Sequence, residues 1–189
     1  MTQAAGMYNT LMAADEPALV VECLNGYRKK EPCPNNLGDF RVPLGQVEVL
    51  REGTDLTMLS YGSTLHLCQE ACQRLSDLGV EVELIDAQTL LPFDLEGATA
   101  QSVAKTNRLV VVDEDVPGGA AAYLLDAVLN GQGAWSMLDG QAQTLTAKPH
   151  LPAYGSDGDY FSKPSVDDIV ETAYNVMREV DPTNHPSLR

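Results

Sequence analysis

The chain has 189 residues, 44% hydrophobic and 21% charged, the balance of a water-soluble fold with one sizeable core. Its 12 Lys and Arg against 27 Asp and Glu leave a net charge of −15, a field that repels phosphate and excludes nucleic acid and anionic membranes as expected partners. A basic protein partner would be drawn in instead.

No apolar run is long enough to span a bilayer, and the N-terminus lacks a basic-plus-apolar signal pattern, so a cytoplasmic location is expected. Cys23, Cys33, Cys68 and Cys72 form no C-x-x-C pair, which argues against zinc and for reduced thiols.

In chain order, residues 1–15 are Ala-rich and mildly helical. Residues 17–22 (PALVVE) read as a buried strand, with Pro17 at its start, where a missing N–H matters least. Residues 25–43 carry Gly26, Pro32, Pro34 and Gly38 and read as a linker, with the basic run Arg28, Lys29 and Lys30 as a solvated loop. Residues 47–51 then form a short strand, and Glu52 with Gly53 a turn.

The stretch that organises the rest begins at Thr54. Leu56, Met58 and Leu59 make a strand covered on both faces, and Gly62 turns the chain. Ser63 or Thr64 is placed to cap a helix whose apolar stripe is Leu65, Cys68, Ala71, Cys72, Leu75 and Leu78. Gly79 ends that helix, and Val80, Val82, Leu84 and Ile85 supply the next strand, completing a βαβ unit with an expected right-handed crossover.

Asp94 caps a helix over 95–105, and residues 109–112 (LVVV) make a third buried strand. A helix over 120–129 follows Gly118 and Gly119, and residues 145–147 make a further strand. Residues 149–164 read as a long polar surface loop. Ser165 and Asp168 form a capping box for a last helix with Val166, Ile169, Ala173, Val176, Met177 and Val180 inward. The fold class is α/β, three-layered, with a mostly parallel sheet and helices on both faces.

Strand-end loops carry ligands in such sheets. Tyr61, Gly62, Ser63 and Thr64 stand at a helix start whose free N–H groups could hold an anion, though without any G-x-x-x-x-G-K or G-x-G-x-x-G pattern. Gly118 and Gly119 open another helix, but Asp113, Glu114 and Asp115 before them would repel phosphate, so close packing is the better account of these glycines. His66 and Cys68 are two apart on one helix and point away from each other, so they make no catalytic pair. No triad, H-E-x-x-H or paired-carboxylate site is visible.

Residues 50–63 (LREGTDLTMLSYGS) and 82–94 (VELIDAQTLLPFD) resemble the β subunit of thiamine-diphosphate-dependent 2-oxoacid dehydrogenases. Residues 17–22, 42–45 (VPLG) and 105–114 (KTNRLVVVDE) are similar to that subunit as well. The resemblance implies the tail of a pyrimidine-binding domain and linker at 1–45, a transketolase-type C-terminal domain at 46–181 and a tail at 182–189. It implies thiamine diphosphate and magnesium in the full enzyme, but the family's cofactor-activating glutamate and active-site histidines match no position here. The chain alone is therefore expected to be inactive, with none of its residues binding cofactor or metal.

The implied partners are the remaining domains or the α subunit, a second copy in a homodimer, and the small basic subunit-binding domain of the lipoyl acyltransferase. Leu138 and Asp139 match the first half of the family's Leu-Glu/Asp-Ala-Pro docking motif. Asp139, together with Asp113, Glu114 and Asp115, is thus the expected partner contact. Residues 153–164 depart from the usual Asp-Thr-Pro-x-Pro pattern, as in a divergent or fused-subunit branch. Branched-chain 2-oxoacids are the first expected substrates and pyruvate the second. The alternative is a stand-alone α/β domain that binds an anionic metabolite at Tyr61 to Thr64.

Overall fold

A computed structural model describes residues 2–33, 35–152, 154–155 and 158–187. Met1, Pro34, Ala153, Ser156, Asp157, Leu188 and Arg189 lie outside that set, and with them parts of the expected linker, surface loop and tail.

Five strands form the central sheet: β1 (Glu48–Arg51), β2 (Leu56–Ser60), β3 (Val82–Asp86), β4 (Leu109–Val112) and β5 (Gln143–Leu145). They lie in the order β1-β3-β2-β4-β5, with β1 antiparallel at one edge and the other pairings parallel. A parallel sheet must be covered on both sides, which is why β2 and β4 are buried throughout.

The pleat sorts the side chains. Leu56, Met58, Val82, Leu84, Val110 and Val112 face α2 (Thr64–Asp77) and α6 (Val166–Val180). Leu59, Ile85, Leu109 and Val111 face α3 (Ala98–Thr106) and α4 (Ala120–Asp126). Thr57, on the second face, is buried but satisfied, its hydroxyl 2.6 Å from Ser102 Oγ and 2.7 Å from Thr106 Oγ1 of α3. The expected three-layer α/β class is the observed one.

Individual elements depart from expectation in instructive ways. The helix after Asp94 starts at Ala98 rather than at residue 95. Asp94 caps it across a short loop, its two oxygens accepting from Ala98 N at 2.9 Å and Thr99 N at 2.7 Å. Neither Ser63 nor Thr64 caps α2. Gly62 makes the turn at φ +61°, and Thr64 Oγ1 donates to Tyr61 O at 3.0 Å. The helix expected over 120–129 gives way after Asp126 to a π turn over Ala127–Gly131.

The last strand falls at Gln143–Leu145, two residues early. The loop expected at 149–164 contains a short helix, α5 (Gly158–Ser162). The Ser165–Asp168 capping box is present in full.

The largest difference lies at residues 17–22. They belong to no ladder, and Leu19 is 91% and Val21 83% exposed. An apolar strand needs a neighbour to bond to, and these residues pair with neither edge strand, β1 nor β5. The preceding helix, α1 (Thr2–Met12), packs through Gly6 against Phe40 and Val42, and Thr10 Oγ1 donates to Val42 O at 2.7 Å.

Candidate functional site

The carboxyl ends of β2 and β4 bring Tyr61 and Asp113 together. Tyr61 donates its hydroxyl to Asp113 Oδ1 at 2.7 Å. The same carboxylate accepts from Asp115 N at 3.0 Å and from Ala121 N, in the first turn of α4, at 2.8 Å. Burial first, then the bond to Asp113, push the Tyr61 phenol well above its ordinary value, so it stays a neutral donor.

Asp113 is fully buried, and this corrects its expected role as a partner contact. A carboxylate with three internal donors and no exposed surface holds the loop after β4 in shape and has nothing left to offer a partner.

The two acidic residues that follow are engaged differently. Glu114 pairs with Lys163 at 3.0 Å. Asp115 is exposed; its Oδ1 accepts from Val116 N at 2.7 Å, and its main-chain oxygen accepts from Ala147 N at 2.8 Å. Its carboxylate also lies against Gly119, where an added Cβ would come within 2.7 Å of Oδ2. The close-packing account of Gly119 therefore holds.

An anion at Tyr61 to Thr64 would meet a hostile setting. The Asp113 carboxylate stands beside the turn, and Cys23 of the N-terminal arm lies near it, its Sγ 3.4 Å from where a Cβ on Gly62 would sit. Among the described residues no group of three or more His, Cys, Asp or Glu is placed to hold a metal ion.

The thiols offer no chemistry. Burial pushes Cys68 up to about 12 and Cys72 to about 11, so both stay protonated on the core face of α2 while His66 is exposed.

Asp139 lies at the opposite end of the sheet. It follows a 3₁₀ turn over Ala134–Met137 and is tied to the start of β4. Its N–H donates to Asn107 O at 2.9 Å, Asn107 Nδ2 donates to Met137 O at 2.7 Å, and Arg108 lies 3.5 Å from its carboxylate. Five residue rises of ~3.3 Å each separate Arg108 from Asp113, roughly 17 Å. The structure thus splits the four expected acidic contacts into two places.

Beside Asp139 stands Trp135, 66% exposed, which sequence reasoning passed over. With Leu138, Gly140 and Gln141 they line a shallow hollow of about 290 Å³. The available signal was a single Trp in a polar, Gly-rich stretch with no helical or strand period to bury it.

The fold has counterparts elsewhere. A solved split-gene transketolase (an inactive beta4 tetramer) superposes with a TM-score of 0.57 over 76% of this chain and 43% of its own, at 19% identity. At that identity the likeness concerns the fold alone. The β subunit of Bacillus subtilis acetoin:2,6-dichlorophenolindophenol oxidoreductase is 31% identical over 93% of this chain and 50% of its own. Human mitochondrial pyruvate dehydrogenase E1 subunit β is 32% identical over 88% and 47%. The mitochondrial 2-oxoisovalerate dehydrogenase subunit β of Chaetomium thermophilum is 39% identical over 67% and 27%.

The chain therefore spans about half the length, or less, of these curated relatives. Their names bear out the resemblance to 2-oxoacid dehydrogenase β subunits. The family described as "Transketolase, C-terminal domain" matches residues 45–163, the sheet and most of its helices, and the chain belongs to that family.

Proposed function

We propose that this chain is the C-terminal half of the β chain of a thiamine-diphosphate-dependent 2-oxoacid dehydrogenase, serving assembly and docking rather than catalysis. The observation that carries this reading is the alignment of nearly the whole chain with about half of such β subunits. Thiamine diphosphate and magnesium are then held by the rest of the enzyme, and the chain alone is inactive. Branched-chain 2-oxoacids are the first proposed substrates and pyruvate the second. A cytoplasmic setting belongs to the same proposal; among the described residues no helix is long and apolar enough to cross a membrane.

Residues 1–45 are the tail of a pyrimidine-binding domain and its linker in this reading. The exposed, unpaired segment 17–22 supports that, because a strand of the missing domain would bury Leu19 and Val21. The other proposed partners are the α subunit and a second copy of this chain.

The acyltransferase's small basic domain docks at Asp139. An exposed Trp beside a carboxylate supports this, since aromatic anchors with charged neighbours dominate interface energetics. The net charge of −15 agrees with a basic partner.

Titration calorimetry with that basic domain tests the docking. Salt-dependent binding is expected, and Trp135→Ala should weaken it by about 2 kcal/mol, roughly 30-fold. Co-expression with the remainder of the β chain and the α subunit tests the assembly half. Failure to restore 2-oxoacid decarboxylation there, with no heat in the titration, would sink the reading.

A further inference from the structure

Two hollows abut beside α3. Besides the one at Trp135 and Asp139, a larger one of about 430 Å³ lies between α3 and residues 132–137, lined by Leu95, Glu96, Ala100, Ala104, Gln132 and Met137. Met137 lines this hollow and Leu138 the other, so a single main-chain step separates them.

The larger hollow is preformed, because side chains tie its two walls together at both ends. At one end Ala100 N donates to Gln132 Oε1 at 3.1 Å, and Gln132 Nε2 donates to Asp94 Oδ2 at 3.0 Å. At the other, Asn107 Nδ2 donates to Met137 O at 2.7 Å and Asp139 N donates to Asn107 O at 2.9 Å. Between the ties Ala100 and Ala104, about one helical turn apart, offer only methyl groups. Walls held in this way leave space that the chain itself does not fill.

The surface is apolar with acidic ends. Leu95 and Met137 flank the alanines, and Leu95 is exposed. Glu96 precedes α3 and Asp139 stands beyond its far end, with the nine residues of the helix, about 13 Å, between them. The cations near Asp139 are committed, Lys105 to Glu83 and Glu52, and Arg108 to Asp139 itself. In a chain of net charge −15 such a surface complements a cationic partner.

We infer that the hollow along α3 is the apolar half of a two-part docking surface whose polar half is Trp135 with Asp139. Its occupant is the basic domain of the preceding reading, on which this inference rests. That domain seats one large apolar side chain over Ala100 and Ala104 while a Lys or Arg reaches Trp135 and Asp139. A cation is attracted both by an indole face and by a carboxylate, and a preformed hollow spares the partner the cost of ordering it.

Titration calorimetry of this chain with the acyltransferase's basic domain, repeated with Ala104→Phe, tests the inference. Ala104 is exposed, so the added ring occupies the hollow without entering the core. Binding should weaken about tenfold or more. Gln69→Phe, exposed on α2 in the opposite layer, should leave it unchanged. In the unaltered chain the Met137 methyl resonance should shift as the partner is added. Unchanged affinity in Ala104→Phe, or an unmoved Met137 methyl, overturns this inference while binding that still depends on Trp135 leaves docking at Asp139 standing. No binding by the unaltered chain overturns both. Sedimentation of the free chain reads the competing occupant: if Ala104→Phe dissociates a dimer and spares the affinity, the hollow belongs to a second copy and the inference falls.

Discussion

The two ends of the chain contrast sharply. Residues 46–180 form a layered sheet in which β2 and β4 are wholly buried and both faces are covered by helices. Among the described residues, 2–45 have one helix, one short 3₁₀ turn and an apolar segment outside the sheet whose Leu19 and Val21 are exposed. Hydrophobicity alone does not separate them, since PALVVE is as apolar as several buried strands. A strand becomes structure only when a neighbour satisfies its N–H and C=O groups and covers its side chains. The first region supplies its own neighbours, whereas residues 17–22 of the second pair with no strand.

Cysteine chemistry should show the contrast most strongly. With Cys68 pushed up to about 12 and buried, its thiolate fraction at pH 8 is about 10⁻⁴, so alkylation should proceed only through unfolding. Cys33, exposed on the arm, should be labelled before Cys68. Mass mapping after brief iodoacetamide treatment reads both, and early labelling at Cys68 would mean that the layered sheet opens as readily as the arm.

Core and arm substitutions come next. Leu84→Ala empties a fully buried position and should cost about 2–5 kcal/mol by urea denaturation. Leu19→Ala on the arm should stay within about 0.5 kcal/mol, because an exposed side chain loses little on truncation. Equal costs at the two sites would mean that the arm is packed by something in solution.

Asp113→Asn sharpens the picture within the folded region. The carboxylate serves Tyr61 and two backbone N–H groups, and an amide can replace only one of its accepting oxygens. A loss of about 2 kcal/mol is expected, with Tyr61 fluorescence altered as its partner changes.

Smaller still is Ser165→Ala, which removes the N-cap of α6 and should cost about 1 kcal/mol. The effect should spread to α2, which packs on α6, and leave α1 unchanged in hydrogen exchange.

Where local pattern coincided with local cause, the sequence was a sufficient guide. The βαβ unit from Leu56 to Ile85 was legible because short apolar runs and a period-3.6 apolar stripe sat between unmistakable turns. The capping box at Ser165 was legible because both partners lie within one turn. Asp94 shows the limit: its role as a cap was readable, but the position of its helix was not, because the loop to Ala98 is held by contacts from elsewhere. One of these is Gln132 Nε2, which donates to Asp94 Oδ2 at 3.0 Å.

The acidic residues show the same boundary at the candidate site. By itself the sequence determined that they are acidic, that they lie near strand ends and that the whole chain is strongly negative. Only the tertiary structure decided that Asp113 is interior, that Asp139 stands at the far end of the sheet, and that Trp135 stands exposed beside it. It likewise decided that residues 17–22 have no sheet to join. The physical reason is common to all of these: burial and strand pairing are properties of two segments distant in sequence, and neither segment's own pattern specifies which partner, if any, the fold will bring to it.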